Sequence, residues 1–364
     1  MKKYEVVIVG AGTAGLMLAR ELGKQQCKTL LLDRKKNLLD ISFNTLGSFI
    51  KIADFGLTEN VVAQKINSII IQAKNLQEHI YVDAVILDKK KVHEELIASL
   101  DKNFVDIQLD VHINQIHQNS EKTFTAVSDK NGNSYQATIF VDCSGTAGIL
   151  SKKVGLQIKN PVLAVGVEYN VKYFGKSDEA YLLLGKEYKG GYGWIFPLKN
   201  QRAIIGFGTF DETMVKGLKE RLNEVLQLPN IKKLVEKDNE IVEGGSIPIT
   251  PVLDKFVIEN LVCVGDSVSQ VNPIVGEGYK FIFESAIMAS EFIVKSIKNN
   301  SIIHLSDYEQ TWRKRFLSNY KRSKIAQKRI FSLTKSDFFV KLGIFLLKLR
   351  PNKKNASTLS GEYF

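Results

Sequence analysis

The chain has 364 residues, 44% hydrophobic and 24% charged, which is enough apolar material for a large core and for two closely joined domains. Its net charge of +11 resides in residues 311–364, where fourteen Lys and Arg face only Asp337 and Glu362, and with no nucleic-acid module beside that region nucleic acid is excluded as a partner. Three scattered cysteines argue against disulfides and a zinc site and for a reducing cytoplasm; the five histidines lack metal-ligand spacing, no apolar run reaches the roughly 18 residues of a membrane span, and the first one turns too early for a secretion signal.

Residues 4–33, YEVVIVGAGTAGLMLARELGKQQCKTLLLD, predict a strand, a glycine turn, a helix and a second strand. In Gly10-x-Gly12-x-x-Gly15 the first glycine permits the tight turn, the second lets a pyrophosphate approach, and the third allows close helix-on-strand packing. Ala11, Thr13 and Ala14 complete the loop, and the helix N-terminus offers free N–H groups to the phosphates. Asp33 closes the second strand, placed to accept hydrogen bonds from ribose hydroxyls, with Arg34 beside it. This much predicts a dinucleotide without choosing between FAD and NAD.

A connection of mixed character runs to about residue 85, followed by a helix over 89–100. Strands are expected around 105–117, 122–128 and 134–142, with Asn131-Gly132 as a hairpin turn. From about 158 to 210, LAVGVEYNV, EAYLLLG, GYGWIFPL and RAIIGFGTF predict an inserted antiparallel sheet, and helical periodicity returns over 211–237. Within that sheet Tyr192, Trp194 and Phe196 alternate and so share one face, an apolar wall suited to a long hydrocarbon. Gly206 and Gly208 on the next strand would leave room beside it; an ordinary aromatic sheet core explains the same pattern.

Residues 261–278, LVCVGDSVSQVNPIVGEG, predict a short strand, a Gly265-Asp266 turn and a Gly276-Glu277-Gly278 loop opening a helix; everything beyond 278 is expected to be helical. A purely nicotinamide-binding domain has no need of this second element, so the dinucleotide is read as FAD.

Two of these segments resemble known motifs. The window 192–208 resembles the Tyr-x-Trp-x-Phe-Pro, seven or eight residues, Gly-x-Gly signature of the geranylgeranyl reductase family, with eight residues between Pro197 and Gly206. Residues 261–278 resemble the Gly-Asp motif of the p-hydroxybenzoate hydroxylase-like flavoproteins, which include those reductases. The resemblance implies an α/β chain: a Rossmann-type FAD-binding domain (1–157 and 250–300), an inserted antiparallel-sheet substrate domain (158–249) and a basic helical C-terminal region (301–364). It places Asp266 on the ribityl chain, the helix after Gly278 toward the pyrimidine edge of the flavin, and Gly145 of IFVDCSGTAG in the turn after the returning strand. Lys89 stands where relatives carry an arginine, keeping the charge and losing the bidentate fork; in a run with Lys90 and Lys91 it also reads as a solvated face.

The implied reaction is reduction of carbon–carbon double bonds in an isoprenoid lipid lying against Tyr192, Trp194, Phe196, Gly206 and Gly208. The proton donor is left unassigned, Tyr192 being a candidate that packing explains as well. With no second Gly-x-Gly-x-x-Gly unit, electrons would come from transiently bound NADPH or a reduced carrier protein. The same fold leaves open a monooxygenase, a halogenase, a lipid cyclase or a non-catalytic lipid-binding flavoprotein. Finally, residues 336–354, SDFFVKLGIFLLKLRPNKK, have the pattern of a helix lying on an anionic membrane with lysines reaching the headgroups; a core or dimer helix is the alternative, and an acidic electron-transfer partner is another fit to the basic region.

Overall fold

The computed structural model describes residues 3–156, 162–249, 252–333 and 336–363. Val6–Val9 is apolar throughout because both its faces are covered, and it pairs in parallel with Thr29–Leu32 on one side and Ile139–Asp142 on the other. Val105–Gln108 and Leu261–Cys263 extend the sheet in parallel, and Val257–Ile258 closes it as an antiparallel edge, giving six strands. The helices Thr13–Lys24 and Tyr279–Lys298 pack against each other, so the two glycine motifs meet although about 250 residues separate them. Their meeting is the structural basis of the site.

A second sheet has nine strands. Its centre is antiparallel: Leu163–Tyr173 pairs with Arg202–Thr209, which pairs with Gly191–Leu198, which pairs with Glu179–Leu183. Val235–Glu236 and Val242–Pro248 also pair with Leu163–Tyr173. The expected insertion thus supplies six of the strands, while its boundaries at 157–158 and at 250 lie outside the described residues.

The other three strands come from the segment expected to be a mixed connection: Thr45–Ser48, Val62–Ala73 and Leu76–Asp88. Their period is hidden for a physical reason. Register shifts between Val62 and Gln64 and between Ile66 and Ser68 break the alternation, and Ile69, Ile70 and Ile71 are all buried because both faces of the strand are covered there.

Two further expectations need correction. The run 134–142 is not one strand: Ser134–Gln136 belongs to a small sheet with Ile113–Gln118 and Phe124–Asp129, while Ile139–Asp142 enters the parallel sheet. The helical pattern over 211–237 is cut at Gly217 and Pro229 into Glu212–Val215, Leu218–Val225 and Pro229–Lys232.

The C-terminal part is helical as expected: Ile303–Trp312 continues through a π-turn into Ser318–Leu333, followed by Asp337–Leu349 and Asn352–Ser360. The helix Asp337–Leu349 has two unlike faces. Val340 and Ile344, one turn apart, are buried with Ile66, Ile71 and Ile80 of the second sheet. Phe338, Phe339, Leu342, Phe345, Leu346 and Leu349 are exposed. Among the described residues no helix is long and apolar enough to cross a membrane.

Candidate functional site

A cavity of about 640 Å³ is lined from both sheets, so the glycine motifs and the aromatic strand open into one space. The first glycine loop shows why its residues differ. Gly10 has φ +106°, and a Cβ there would lie 2.4 Å from the Cys143 carbonyl oxygen, so both conformation and space demand glycine. Gly12 is different: a Cβ there would have no atom within 4 Å. Its bare side is an open approach, on the wall of the cavity, to the start of the helix Thr13–Lys24, which has no side-chain cap.

Asp33 accepts hydrogen bonds from the Ala11 N–H at 2.6 Å and the Lys35 N–H at 2.8 Å, which ties the loop to the strand end. Each oxygen of an ionised carboxylate accepts more than one hydrogen bond, so Asp33 retains capacity for a ligand. Ala11, Thr13, Ala14, Arg34 and Gly145 also line the cavity. Beneath them His93 sets its Nε2 3.3 Å from Thr13 Oγ1 and its Nδ1 3.4 Å from the Leu38 carbonyl. Burial lowers its pKa to about 4, so the imidazole is neutral.

From the second glycine motif, Asp266, Gly276 and Gly278 reach the cavity wall together with Tyr279. Asp266 Oδ1 and the Tyr279 hydroxyl are buried with no hydrogen-bond partner. Desolvation pushes the Asp266 pKa up to about 6, while Lys89 pulls it down. Such atoms cost stability unless a ligand pairs with them. Glu277 is turned away from the cavity, where its Oε1 accepts from the Ser48 hydroxyl at 2.7 Å and the Lys280 N–H at 3.1 Å. Gly15 and Gly265 also stand behind the wall: a Cβ on Gly15 would lie 1.9 Å from the Gly10 carbonyl oxygen, and one on Gly265 would lie 3.0 Å from Ala14 Cβ. These three residues shape the cradle without facing into it.

Lys89 is the first residue of the helix Lys89–Ala98 and lies on the cavity wall, half-buried, donating from Nζ to the Ser42 carbonyl at 2.7 Å. Burial lowers its pKa to about 8, against the pull of Glu168 and Asp266. Lys90 and Lys91 are exposed, so the lysine run divides between cavity and solvent.

On the second sheet, Tyr192, Trp194 and Phe196 form the aromatic wall, with ring centroids 5.9 Å and then 6.2 Å apart. The Tyr192 hydroxyl donates to the Val275 carbonyl at 2.5 Å, and burial raises its pKa above the ordinary phenol value. The room left by glycine is taken by an indole. Cβ atoms on Gly166, Gly206 and Gly208 would lie 3.1, 2.2 and 3.1 Å from the Trp194 ring. Gly208 still touches the cavity, whereas Gly206 lies beneath the ring, off the wall.

One wall residue escaped the sequence reading. Glu168, on Leu163–Tyr173, is only 4% exposed, and its Oε2 accepts from Trp194 Nε1 at 3.2 Å while Oε1 has no partner. Burial, reinforced by Glu243 on the neighbouring strand, pushes its pKa up to about 8; the Trp194 hydrogen bond and Lys89 oppose that. The available signal was a lone acid inside the apolar run LAVGVEYNV.

A family model described as FAD binding domain matches residues 3–281. The chain belongs to that family of flavoproteins. This flavoprotein is an FAD-dependent oxidoreductase. Its relatives include digeranylgeranylglycerophospholipid reductase 3 of Methanosphaera stadtmanae, 24% identical over 320 residues that cover 82% of this chain and 79% of the relative. They also include the digeranylgeranylglycerophospholipid reductase of Methanococcus aeolicus, 24% identical over 346 residues, with 90% and 87% covered. A geranylgeranyl bacteriochlorophyll reductase-like protein from Thermoplasma acidophilum has a similar structure, with a TM-score of 0.83 at 20% identity over 94% of this chain and 91% of that one. A flavin-dependent brominase is also similar, with a TM-score of 0.77 at 16% identity over 99% and 94%. Structural likeness at such identities establishes the shared flavoprotein fold.

The residues present fit FAD. The open side of Gly12 and the uncapped helix suit a pyrophosphate, Asp33 retains acceptor capacity for a ribose, and the unpartnered oxygens of Asp266 and Tyr279 are polar atoms that a bound polyhydroxylated ligand would satisfy.

Proposed function

We propose that this flavoprotein reduces carbon–carbon double bonds in the chain of an isoprenoid lipid. One observation carries the reading: the dinucleotide cradle and the wall of Tyr192, Trp194 and Phe196 line the same cavity. The names of the relatives, which are reductases of a geranylgeranyl lipid, support it. When bound, reduced FAD supplies a hydride to an electron-poor or activated carbon.

The chain's own residues do the rest. Gly10, Ala11, Gly12, Thr13 and Ala14 hold the pyrophosphate, Asp33 and Arg34 the adenosine side, and Lys89, Gly145, Asp266, Gly276 and Gly278 the flavin side, with Gly15, Gly265 and Glu277 supporting them. The aromatic wall takes the apolar chain, excludes water and orients a double bond. Tyr192 acts there as a fixed packing surface, since Val275 already holds its proton. Gly206 and Gly208 act by seating Trp194.

In this reading electrons arrive from NADPH bound transiently or from a reduced, acidic carrier protein. The protein works at the cytoplasmic surface of an anionic membrane, from which the substrate is drawn. The exposed face of Asp337–Leu349, with Lys341, Lys348 and Arg350 beside it, supports that location by combining apolar area with positive charge.

The test is anaerobic spectroscopy. Protein purified with its flavin is reduced with dithionite, freed of excess reductant, and mixed with polyprenyl lipids in the absence of oxygen. Return of the oxidised flavin spectrum together with a saturated product is expected. Failure with every polyprenyl lipid, together with reoxidation that requires oxygen and yields an oxygenated or halogenated product, would overturn the proposal.

A further inference from the structure

We propose that Glu168 is the acid that delivers the proton completing reduction of the substrate double bond. The inference rests on the double-bond reductase reading above and adds the catalytic acid which that reading lacks.

Position comes first. Glu168 lies on the cavity wall beside Trp194, on the sheet that carries the aromatic strand. The other carboxyl groups on the wall belong to the nucleotide cradle: Asp33 is tied to the Ala11 and Lys35 N–H groups, and Asp266 sits in the second glycine motif. Tyr192 spends its proton on the Val275 carbonyl. That leaves Glu168 as the carboxyl group on the hydrocarbon side of the cavity, among the described residues.

Orientation comes next. Trp194 Nε1 donates to Oε2, so that oxygen serves as an acceptor, and the acidic proton belongs on Oε1, which has no protein partner. Gly206, directly across the ladder from Glu168, contributes no side chain that could compete for it. The indole therefore fixes both the rotamer of the acid and which oxygen carries the proton.

The protonation state agrees with this geometry. Four elements pack around Glu168. Trp194 faces it from Gly191–Leu198, Glu243 from Val242–Pro248 and Lys89 from the helix at the cavity wall, while Arg202–Thr209 sets Gly206 across the ladder and adds no charged group there. Desolvation and the nearby Glu243 outweigh Lys89 and the indole, and the pKa stands at about 8. The carboxyl is thus protonated at neutral pH and able to give up its proton near the working pH, the condition under which general acids are most effective.

The step balances. Bound FAD in its reduced form would supply hydride to one alkene carbon; Glu168 gives its proton to the other, and the π pair becomes that second C–H bond as the acid O–H bond breaks. Glu168 is left as carboxylate and regains a proton from water once product leaves. The two electrons are replaced by a hydride donor such as NADPH or by a reduced carrier protein.

Glu168→Gln tests this, because glutamine keeps an acceptor for Trp194 Nε1 and nearly the same volume but has no acidic proton. In the protein without lipid, tryptophan fluorescence is titrated between about pH 6 and 10; the wild type should show a transition near pH 8 that Glu168→Gln abolishes. In anaerobic single turnovers, the wild-type rate of flavin reoxidation by a polyprenyl lipid should fall about tenfold per unit above that pH. Glu168→Gln should be slower by about 10²–10⁴-fold and lose that slope, with FAD content and lipid affinity retained. Equal rates and equal pH profiles in the two proteins would overturn the proposal, as would the absence of a Glu168-dependent fluorescence transition.

Should Glu168→Gln lose FAD, Glu168→Asp carries the test: a retracted acid should keep the pH slope at a reduced rate, and a wild-type rate without the slope would again overturn it. If wild-type protein is not reoxidised by any polyprenyl lipid, it is the reductase reading that falls. The fluorescence titration still reports separately on Glu168.

Discussion

Gly206→Ala probes whether the glycines of the second sheet exist to seat the Trp194 indole. Gly206 has no left-handed backbone angle, so alanine meets no conformational penalty there; what it meets is the ring, with Cε2 and Cζ2 each 2.2 Å from the new Cβ. Ordinary contact begins at 3.4 Å, so the ring has to move by the difference, about 1.2 Å. Movement on that scale strains a packed site by about 1–3 kcal/mol and stretches the 3.2 Å bond from Nε1 to Glu168, itself worth about 1 kcal/mol. Together these predict a loss of about 2–4 kcal/mol in urea unfolding of the flavin-free protein.

The same substitution behaves differently once the ring is gone. In a Trp194→Ala background the alanine at 206 faces empty space, and its reduced freedom in the unfolded chain makes it neutral to stabilising by about 0.4–1 kcal/mol. The four-protein cycle should therefore show a coupling of about 2–5 kcal/mol between positions on neighbouring strands. Both single variants should keep FAD and lose turnover of long polyprenyl substrates, because the ring lines the hydrocarbon side of the cavity. Additivity within about 0.5 kcal/mol would refute the reasoning, since it would mean that the indole does not rest on Gly206.

Gly12→Val should fold and yet purify without FAD, because the side chain enters the open approach where nothing lies within 4 Å; full flavin occupancy would remove the pyrophosphate assignment. Asp266→Ala should weaken FAD binding by about 1–3 kcal/mol in titration calorimetry without destabilising the flavin-free protein, which is relieved of an unpartnered buried oxygen. Phe345→Ser with Leu349→Ser should abolish sedimentation with anionic liposomes and leave thermal stability unchanged, and wild-type binding should weaken at high salt. Deleting the whole helix is a poorer experiment, since Val340 and Ile344 belong to the core. His93 has a folded pKa of about 4, below its free value of 6.5, so its neutral form favours the fold. That contribution is full above pH 6.5 and lost as pH falls through about 4, and His93→Gln should flatten this part of the stability profile.

How much of the site was legible depended on the kind of constraint each residue answers to. Gly10 and Gly12 answer to the local chain and to a ligand, and their spacing alone carries that information. Asp33 and Asp266 stand out in the sequence for a similar reason, since each follows a short apolar run that becomes a strand of the same six-stranded sheet. The hairpin over 62–88 was not, because two bulges and a second buried face erase the alternation from which a strand is recognised. The helix at 337–349 left open a membrane-lying helix or a core or dimer helix; Val340 and Ile344 are buried in the core, and the exposed apolar face is what the membrane proposal rests on.

The hardest residues to read were those whose meaning lies in register. Gly206 and Gly208 look like space left for a substrate until pairing puts Trp194 opposite Gly206 and lays its ring across both glycines. Glu168 looks like a stray charge in an apolar strand until the ladder sets it across from Gly206 and within reach of the indole nitrogen. A shift of one residue in either pairing would turn the acid or the ring to the opposite face of the sheet, and no local propensity forbids that shift. The glycines favour the observed register through volume, since the Trp194 ring lies where side chains on Gly166, Gly206 and Gly208 would stand. The wall, the buried acid and the strand register are therefore one constraint, and a substitution that unseats Trp194 should disturb the protonation of Glu168 before it disturbs the binding of FAD.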